Sequence, residues 1–149
     1  CSHNKAHLLG KIFDGKMILN TYGKIIYQTY VDLPNHNQNM KSEKFLIMPN
    51  HIHGIIIIDN CRERFITVPE TEGKLKINGV SEIIRQLKTF SSKRINEFRK
   101  RNGLEPFPTN TIWQKSYHDH VIRNEAEYQK IWEYVDTNPL KWELDKYYT

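Results

Sequence analysis

The order of apolar and polar positions along the 149 residues predicts short strands interrupted by helices. Apolar residues on both sides of Asp14-Gly15, a dipeptide typical of tight turns, predict a first β-hairpin. A second pair of strands is predicted around Pro49-Asn50. The predicted strands outside the first hairpin are Cys1–Leu9, Lys44–Met48, Ile52–Ile58 and Tyr117–Ile122.

Three helices are predicted from apolar residues that recur at helical spacing. The first begins at Asn20 or Thr21 and ends near Leu33, since proline at 34 interrupts helical hydrogen bonding. The second spans Ser81–Arg101, with Ser81 as its N-cap and glycine 103 as its stop. The third is capped by Asn124 and ends near Thr137, ahead of a proline.

Residues 60–79 are rich in charged and turn-forming side chains, and they predict a loop. Residues 104–111 contain two prolines and predict irregular chain. The order of elements predicts an α+β fold with mostly antiparallel strands. The length favours a single domain over residues 1–149.

Charge changes this picture, because the formal net charge of +5 is not spread evenly. The second predicted helix carries seven lysines and arginines against one acidic residue between positions 85 and 101. Cations in that pattern permit a polyanionic partner such as DNA but do not require one. A solvated helix face is the alternative. The candidate DNA contacts are Arg85, Lys88, Lys93, Arg94, Tyr117, His120 and Arg123.

Cysteine content and hydropathy limit the setting in which the protein works. Cys1 and Cys61 are too few for a disulfide scaffold, which favours a reducing, cytoplasmic location. The longest uncharged apolar run, Ile55–Ile58, is far shorter than a membrane span, so no membrane partner is expected.

The sharpest chemical feature is the tripeptide His51-Ile52-His53 in a predicted strand. Residues two apart in a strand project from the same face, so the two imidazoles lie side by side. Two such imidazoles can share a divalent metal if a further ligand comes from elsewhere. The alternative is a pair of half-buried or solvent-facing histidines without a metal.

A second feature is at the end of the third predicted helix, where Asn138 follows Tyr134 by one helical turn. Tyr134 lies off the centre of the apolar stripe, which leaves its hydroxyl accessible. A phenol and a carboxamide oxygen stacked in this way suit a nucleophile and a metal ligand. The alternative is a tyrosine packed at a helix edge and an asparagine that caps the helix.

Together these residues resemble a known family. The run Met48-Pro-Asn-His-Ile-His-Gly-Ile-Ile-Ile-Ile58 is similar to the signature of the HUH single-strand endonucleases, specifically the small tyrosine transposases. The runs Trp113-Gln-Lys-Ser-Tyr-His-Asp-His-Val-Ile-Arg123 and Tyr134-Val-Asp-Thr-Asn-Pro139 resemble the branch associated with repetitive extragenic palindromes. The likeness extends from about Lys11 to Leu144.

The resemblance implies a ferredoxin-like fold with a central antiparallel sheet and packed helices. It also implies that His51, His53 and Asn138 bind Mg²⁺ or Mn²⁺, and that Tyr134 attacks single-stranded DNA at hairpin ends to leave a 5′-phosphotyrosine. The family's opening strand would precede Cys1, so the chain is expected to be shortened at its N-terminus.

Two other functions remain open at this stage. One is a protein derived from such a transposase that binds a DNA hairpin without cutting it; the other is a hydrolytic metallonuclease that does not need Tyr134. The relatives implied by the resemblance include monomers and homodimers, so both states are open, as is the choice between a tyrosine that serves its own metal site and one that serves its partner's.

Overall fold

The computed structural model describes residues 1–59, 78–108, 111–145 and 148, and this part of the chain is an α+β fold. It contains three α-helices and two antiparallel sheets of two strands each. In chain order the elements are β1 (Gly10–Phe13), β2 (Lys16–Leu19), α1 (Thr21–His36), β3 (Met40–Ile47), β4 (Ile52–Ile58), α2 (Val80–Arg101) and α3 (Glu125–Thr137). Short 3-10 turns occupy His3–Lys5 and Asn138–Leu144.

Within the described ranges, no helix combines the length and apolar character that a membrane span requires.

The first hairpin is confirmed, and its tip lies near the 3-10 turns that follow α3. Asp14 and Gly15 both have positive φ, 50° and 65°, as a tight hairpin turn requires. A β-carbon built on Gly15 would lie 2.5 Å from Leu140 Cδ2. Glycine is therefore needed here both for the turn and for the close approach of the chain.

The sheet of β3 and β4 divides the molecule into two sides. Phe45 on β3 and Ile52, Ile56 and Ile58 on β4 pack against the core formed with α1 and α2. Because side chains alternate along a strand, residues 51, 53, 55 and 57 project from the opposite face. His53 is directly across from Leu46, on the side away from α1 and α2.

Gly54 lies on the α1 side of the sheet. Its position faces the ring of Phe45, and a β-carbon there would be 3.5 Å from Phe45 Cδ2. The Phe45 ring stacks on Tyr30 of α1, with centroids 3.6 Å apart and planes within 6°. This stack joins the histidine-bearing hairpin rigidly to α1.

The predicted helix ends agree well for α3 and less well for α1 and α2. Asn124 caps α3 as predicted, because its Oδ1 accepts a hydrogen bond from Glu127 N at 2.9 Å. Helix α1 continues past Pro34 to His36, which the sequence did not predict. Its last turn is held by buried Asn37, whose Nδ2 donates to Leu33 O at 2.9 Å. Pro34 cannot donate to Tyr30 O, and the Asn37 bond instead satisfies a carbonyl of the following turn, that of Leu33.

Helix α2 begins at Val80, and its N-cap is Gly79 rather than Ser81. The Ser81 hydroxyl lies 2.7 Å from the Tyr117 hydroxyl, so it ties a later segment to the helix. Gly103 has a φ of 68° and follows the helix as predicted.

Several strand predictions are wrong. Cys1–Leu9 forms only an isolated bridge from Ser2 to Trp113 and a 3-10 turn, and Tyr117–Ile122 is not a strand. Strand β3 begins at Met40, earlier than predicted, because its polar residues pair with β4. The described strands form two separate sheets rather than one central sheet, and β4 pairs with β3 alone among them. Most of the predicted loop, residues 60–77, lies outside the described residues.

Candidate metal centre and nucleophile helix

The two histidines at the start of β4 converge on one point. His51 Nε2 and His53 Nε2 lie 2.8 Å apart, and their rings meet edge to face with centroids 4.6 Å apart. His51 is 1% exposed, whereas His53 is half-buried. The side-by-side placement expected from the strand spacing is therefore present.

The orientation of His51 is set by the residue before it. His51 Nδ1 lies 2.8 Å from Asn50 Oδ1, and the amide oxygen can only accept, so Nδ1–H donates. The other nitrogen, Nε2, is then left unprotonated in the neutral ring and can ligate a metal. Asn50 is itself fully buried and donates from Nδ2 to Lys5 O at 3.1 Å. A fixed partner of this kind is what orients metal-ligating histidines.

A carboxylate that the sequence analysis missed completes the cluster. Asp145 Oδ2 lies 3.9 Å from His51 Nε2, and its side chain is only 2% exposed. One ligand atom from each of His51, His53 and Asp145 lies within 4.8 Å of the others. Two imidazoles and one carboxylate form a recognised donor set for divalent metals.

Tyr134 lies beside this cluster in the same chain. Its ring is 5.5 Å from the His53 ring, centroid to centroid, and the two planes are nearly perpendicular at 85°. Tyr134 is 48% exposed, so one side of the phenol faces solvent while the other faces the imidazole. Helix α3 thus brings the predicted nucleophile to the chain's own histidines.

Asn138, the remaining predicted ligand, lies between two residues that contact the histidines. Tyr134 precedes it by one turn and contacts His53, while Trp142 follows it by four residues and contacts His51. Asn138 is buried, and its Oδ1 has no hydrogen-bond donor among the described residues. A buried amide oxygen without a donor is costly, so this atom suits a cation as its partner. The donor chemistry of the residues present therefore fits a divalent metal.

Trp142 covers the buried side of the site. Its ring lies 5.9 Å from the His51 ring at an angle of 30°, and 5.7 Å from the ring of His7 on the other side. Because Trp142 is buried, it keeps water away from the His51 edge. The open side of the site is therefore the side of His53 and Tyr134.

Several of the cationic DNA candidates have partners within the protein. Arg85 pairs with Glu82 at 2.7 Å, and Arg94 pairs with Asp32 of α1 at 2.6 Å. Lys88 Nζ donates to three backbone carbonyls, those of Gln114, Lys115 and Ser116, at 2.7 to 3.2 Å. Burial lowers the pKa of Lys88 from its ordinary value. Lys88 thus holds the chain at 114–116 against α2.

That attachment forms an open groove of about 510 Å³ between α2 and residues 112–117. Its deepest residues include Ile84, Ile112 and Trp113, and the Trp113 indole donates to Ser91 Oγ at 3.0 Å. Trp113 belongs to the core, as one of the two sequence interpretations held. The groove is also lined by the exposed cations Arg85, Lys93 and Lys115 and by Tyr117.

The other two DNA candidates lie near the start of α3. His120 Nε2 is 2.7 Å from Glu127 Oε1, and Arg123 N donates to Glu127 Oε2 at 2.8 Å. Both hydrogen bonds lower the pKa of Glu127, and the one from the Arg123 backbone has the larger effect. Neither residue lines the groove, and Arg94 does not either, so the groove includes four of the seven sequence candidates.

Comparison with known proteins adds one relative. A Haemophilus influenzae (strain ATCC 51907 / DSM 11121 / KW20 / Rd) protein, described as an uncharacterized protein, is 32% identical to the chain over 150 residues. The alignment covers 99% of this chain and 81% of the relative. No family model and no solved structure matches the chain.

Proposed function

Since the chain belongs to the same family as the Haemophilus influenzae protein, whose description names no activity, we propose a function from the residues of the chain itself. It is a metal-dependent endonuclease and strand transferase of the tyrosine transposase type. It acts on single-stranded DNA with hairpin ends, in the cytoplasm. Its scaffold is a variant of the ferredoxin-like fold of the HUH endonucleases.

The observation that carries the proposal is the contact between Tyr134 and His53 in one chain. The rings are 5.5 Å apart, and His53 in turn lies against His51. Tyr134 is half exposed, so its phenol is accessible at the open side of the histidine pair. A phenol next to a metal-competent cluster is the arrangement that covalent phosphoryl transfer needs.

The residues that would hold the metal are His51 and His53, with Asn138 and Asp145 as the oxygen donors. Oxygen donors favour Mg²⁺ or Mn²⁺, and imidazole makes Mn²⁺ the better fit of the two. When bound, such a cation would neutralise negative charge on a phosphodiester and align its phosphorus for attack. Asn50 and Trp142 would keep the His51 imidazole in its ligating orientation.

In the proposed reaction the Tyr134 oxygen attacks the phosphorus in line with the 3′-oxygen. A bond forms between the phenolic oxygen and phosphorus, and the bond from phosphorus to the 3′-oxygen breaks. The phenol loses its proton, and the departing 3′-oxygen gains one. The products are a 5′-phosphotyrosine on the protein and a DNA end with a free 3′-hydroxyl. No water is consumed, so a second 3′-hydroxyl can reverse the step and join strands.

The groove beside α2 is the proposed path of the DNA strand. Its apolar floor suits an unstacked base, and Lys93 and Lys115 on its rim suit phosphates. Residues 1–3 connect the groove to the segment before the histidines, because Cys1 O accepts a hydrogen bond from Gln114 N and Ser2 N donates to Asn50 O.

The test is a denaturing gel of the protein with labelled, hairpin-bearing single-stranded DNA and Mn²⁺. We expect a slower protein–DNA band with the parent chain and none with Tyr134→Phe, which keeps the ring but removes the nucleophile. Tyr128→Phe, a change of another tyrosine on α3, is the matched control and should leave the band intact.

Two outcomes would contradict the proposal. Cleavage that survives in Tyr134→Phe without a protein–DNA band would show a hydrolytic nuclease in which the two histidines and Asp145 activate water. Salt-sensitive binding without cleavage by the parent chain would show a DNA-binding protein that does not cut.

A further inference from the structure

Helix α3 carries the proposed nucleophile, yet it is held to the rest of the protein by few buried side chains. Val135 is its only buried residue. The hydroxyl of Tyr128, near the start of the helix, is 3.4 Å from Glu43, a long hydrogen bond in an exposed setting. Val135 gives the second half of α3 one buried contact, so a further contact is needed to fix the position of Tyr134 relative to His53.

One side chain of β3 makes a short polar contact to that half of the helix. Lys44 Nζ lies 2.6 Å from Asp136 Oδ1 and 4.2 Å from the centre of the Trp132 ring. Trp132 and Asp136 are one turn apart, so the ammonium group lies between two successive turns of the same helix face. Tyr134 is two residues from each of them.

Lys44 is also well placed on the sheet. It pairs with Ile55 on β4, and Leu46, two residues further along β3, pairs with His53. Lys44 therefore shares a face with His53 and lies one step along the sheet from it. The Lys44 side chain is 16% exposed, whereas that of Asp136 is 68% exposed, so the lysine is the fixed partner and the aspartate reaches to it.

We propose that Lys44 is a positioning residue that anchors the second half of α3 to the sheet and so sets Tyr134 at its distance from the His51–His53 pair. The inference rests on the proposed function. Lys44 does not contact the reacting atoms in this scheme. It acts by holding α3, and its contact with Asp136 keeps Tyr134 at the distance from the histidines that the proposed reaction requires.

An ion pair on a surface contributes little to overall stability, which is why the effect should appear in rate and not in folding. A displacement of about 1 Å at a reacting centre can cost on the order of 10²-fold in rate. The cation–π contact with Trp132 adds a second point of attachment. Loss of Lys44 removes both contacts at once.

The experiment measures single-turnover formation of the protein–DNA adduct for Lys44→Met, which keeps the length of the side chain and removes its charge. We expect the rate to fall about tenfold or more, with Mn²⁺ affinity, DNA affinity and melting temperature changed little. Lys41→Met, an exposed lysine on the same strand, is the matched control and should react at the parent rate.

Asp136 distinguishes positioning from direct contact with the substrate. If Lys44 acts through Asp136, Asp136→Asn should also slow the adduct, and the exchanged pair Lys44→Asp with Asp136→Lys should recover part of the rate. If Lys44 instead binds a DNA phosphate, Asp136→Asn should leave the rate unchanged or raise it, and the exchanged pair should be as slow as Lys44→Met. That second pattern would overturn the inference.

A spectroscopic readout is independent of turnover. In NMR spectra, bound paramagnetic Mn²⁺ should broaden the ring resonances of Tyr134 strongly in the parent. The broadening should be weaker in Lys44→Met, because the ring moves away from the histidines. Equal broadening in both proteins would overturn the inference while leaving the proposed function intact. Failure of the parent chain to form any adduct would instead overturn the proposed function, and the positioning role with it.

Discussion

A buried imidazole that ligates a metal must present one nitrogen and have the other occupied, and His51 meets both conditions. Its Nδ1–H is taken by Asn50 Oδ1, and its Nε2 points to His53 and Asp145. The neighbouring side chain is therefore part of the site although it contacts no metal. The contribution of such outer partners is measurable as metal affinity.

Asn50→Ala should weaken Mn²⁺ binding by about 10- to 100-fold, because the ring loses the acceptor that fixes its tautomer and orientation. Titration calorimetry measures this directly. Asn50→Asp keeps the acceptor oxygen and should retain more of the affinity than Asn50→Ala. Equal affinities for Asn50→Ala and the parent would mean that His51 does not bind the metal.

At this scale the sequence predicts part of the site well. His51 and His53 share a face because strand geometry requires it, and Tyr134 and Asn138 follow one another on a helix for the same kind of reason. Asp145 was not predictable, since no local pattern links it to the histidines. It reaches them only because the turns after α3 fold back with Trp142 against His51.

At the scale of elements, helices were predictable where their ends are marked by local chemistry. The Asn124 cap with Glu127 in the first turn gave the start of α3, and the proline at 139 gave its end near Thr137. Strand β3 was predicted too short, because residues 41–43 are all polar and only the pairing of Lys41 and Ser42 with β4 shows that the strand includes them. Residues 117–122 have apolar members but form no ladder with a described strand, so local composition misled there.

The pairing of α1 with α2 gives a pH-dependent prediction. Arg94 lowers the pKa of Asp32 from its ordinary 3.8, mainly through its hydrogen bond and to a smaller extent through its positive charge. A carboxyl group whose pKa is lower in the folded state stabilises the fold above 3.8, and this stabilisation is lost as the pH falls through the lower, folded value. Asp32→Asn should therefore destabilise the protein at pH 7 by roughly 0.5 kcal/mol, since both side chains are partly exposed.

Urea unfolding at pH 7 and at pH 2.5 measures this difference. The difference in free energy of unfolding between the parent and Asp32→Asn should become smaller as the pH is lowered. Asp119→Asn serves as the reference substitution, because Asp119 is exposed and lies outside α1 and α2. A gap that persists at pH 2.5 would mean that the two helices do not depend on the ionised carboxylate.

At the scale of the molecule, the β3–β4 sheet separates the core of α1 and α2 from the face that carries the histidines. The number of sheets was not predictable, because strand pairing depends on contacts between distant residues. The concentration of positive charge on α2 was predictable, but the contacts that these cations make within the protein were not. Arg94 and Lys88 turn inward to hold the structure, which leaves fewer cations for a partner.

The groove predicts a salt dependence for DNA binding. For single strands the slope of log affinity against log salt is about −0.7 per neutralised phosphate. Replacing Lys93 and Lys115 together by glutamine should therefore reduce the slope by about 1.4, because two phosphate contacts are lost. Filter binding at several salt concentrations measures it. Lys24→Gln, outside the groove, should leave the slope unchanged; an unchanged slope for the groove variant would place the DNA elsewhere.

The closeness of Tyr134 to its own chain's His53 has a consequence for mixtures. If each site uses the tyrosine and the histidines of one chain, a chain without its histidines and a chain without its tyrosine cannot restore each other's site. An equimolar mixture of His51→Ala and Tyr134→Phe proteins should remain as inactive as either alone. The specific activity of the parent should likewise be unaffected by dilution, since in the proposed reaction every chain carries its own tyrosine and histidines.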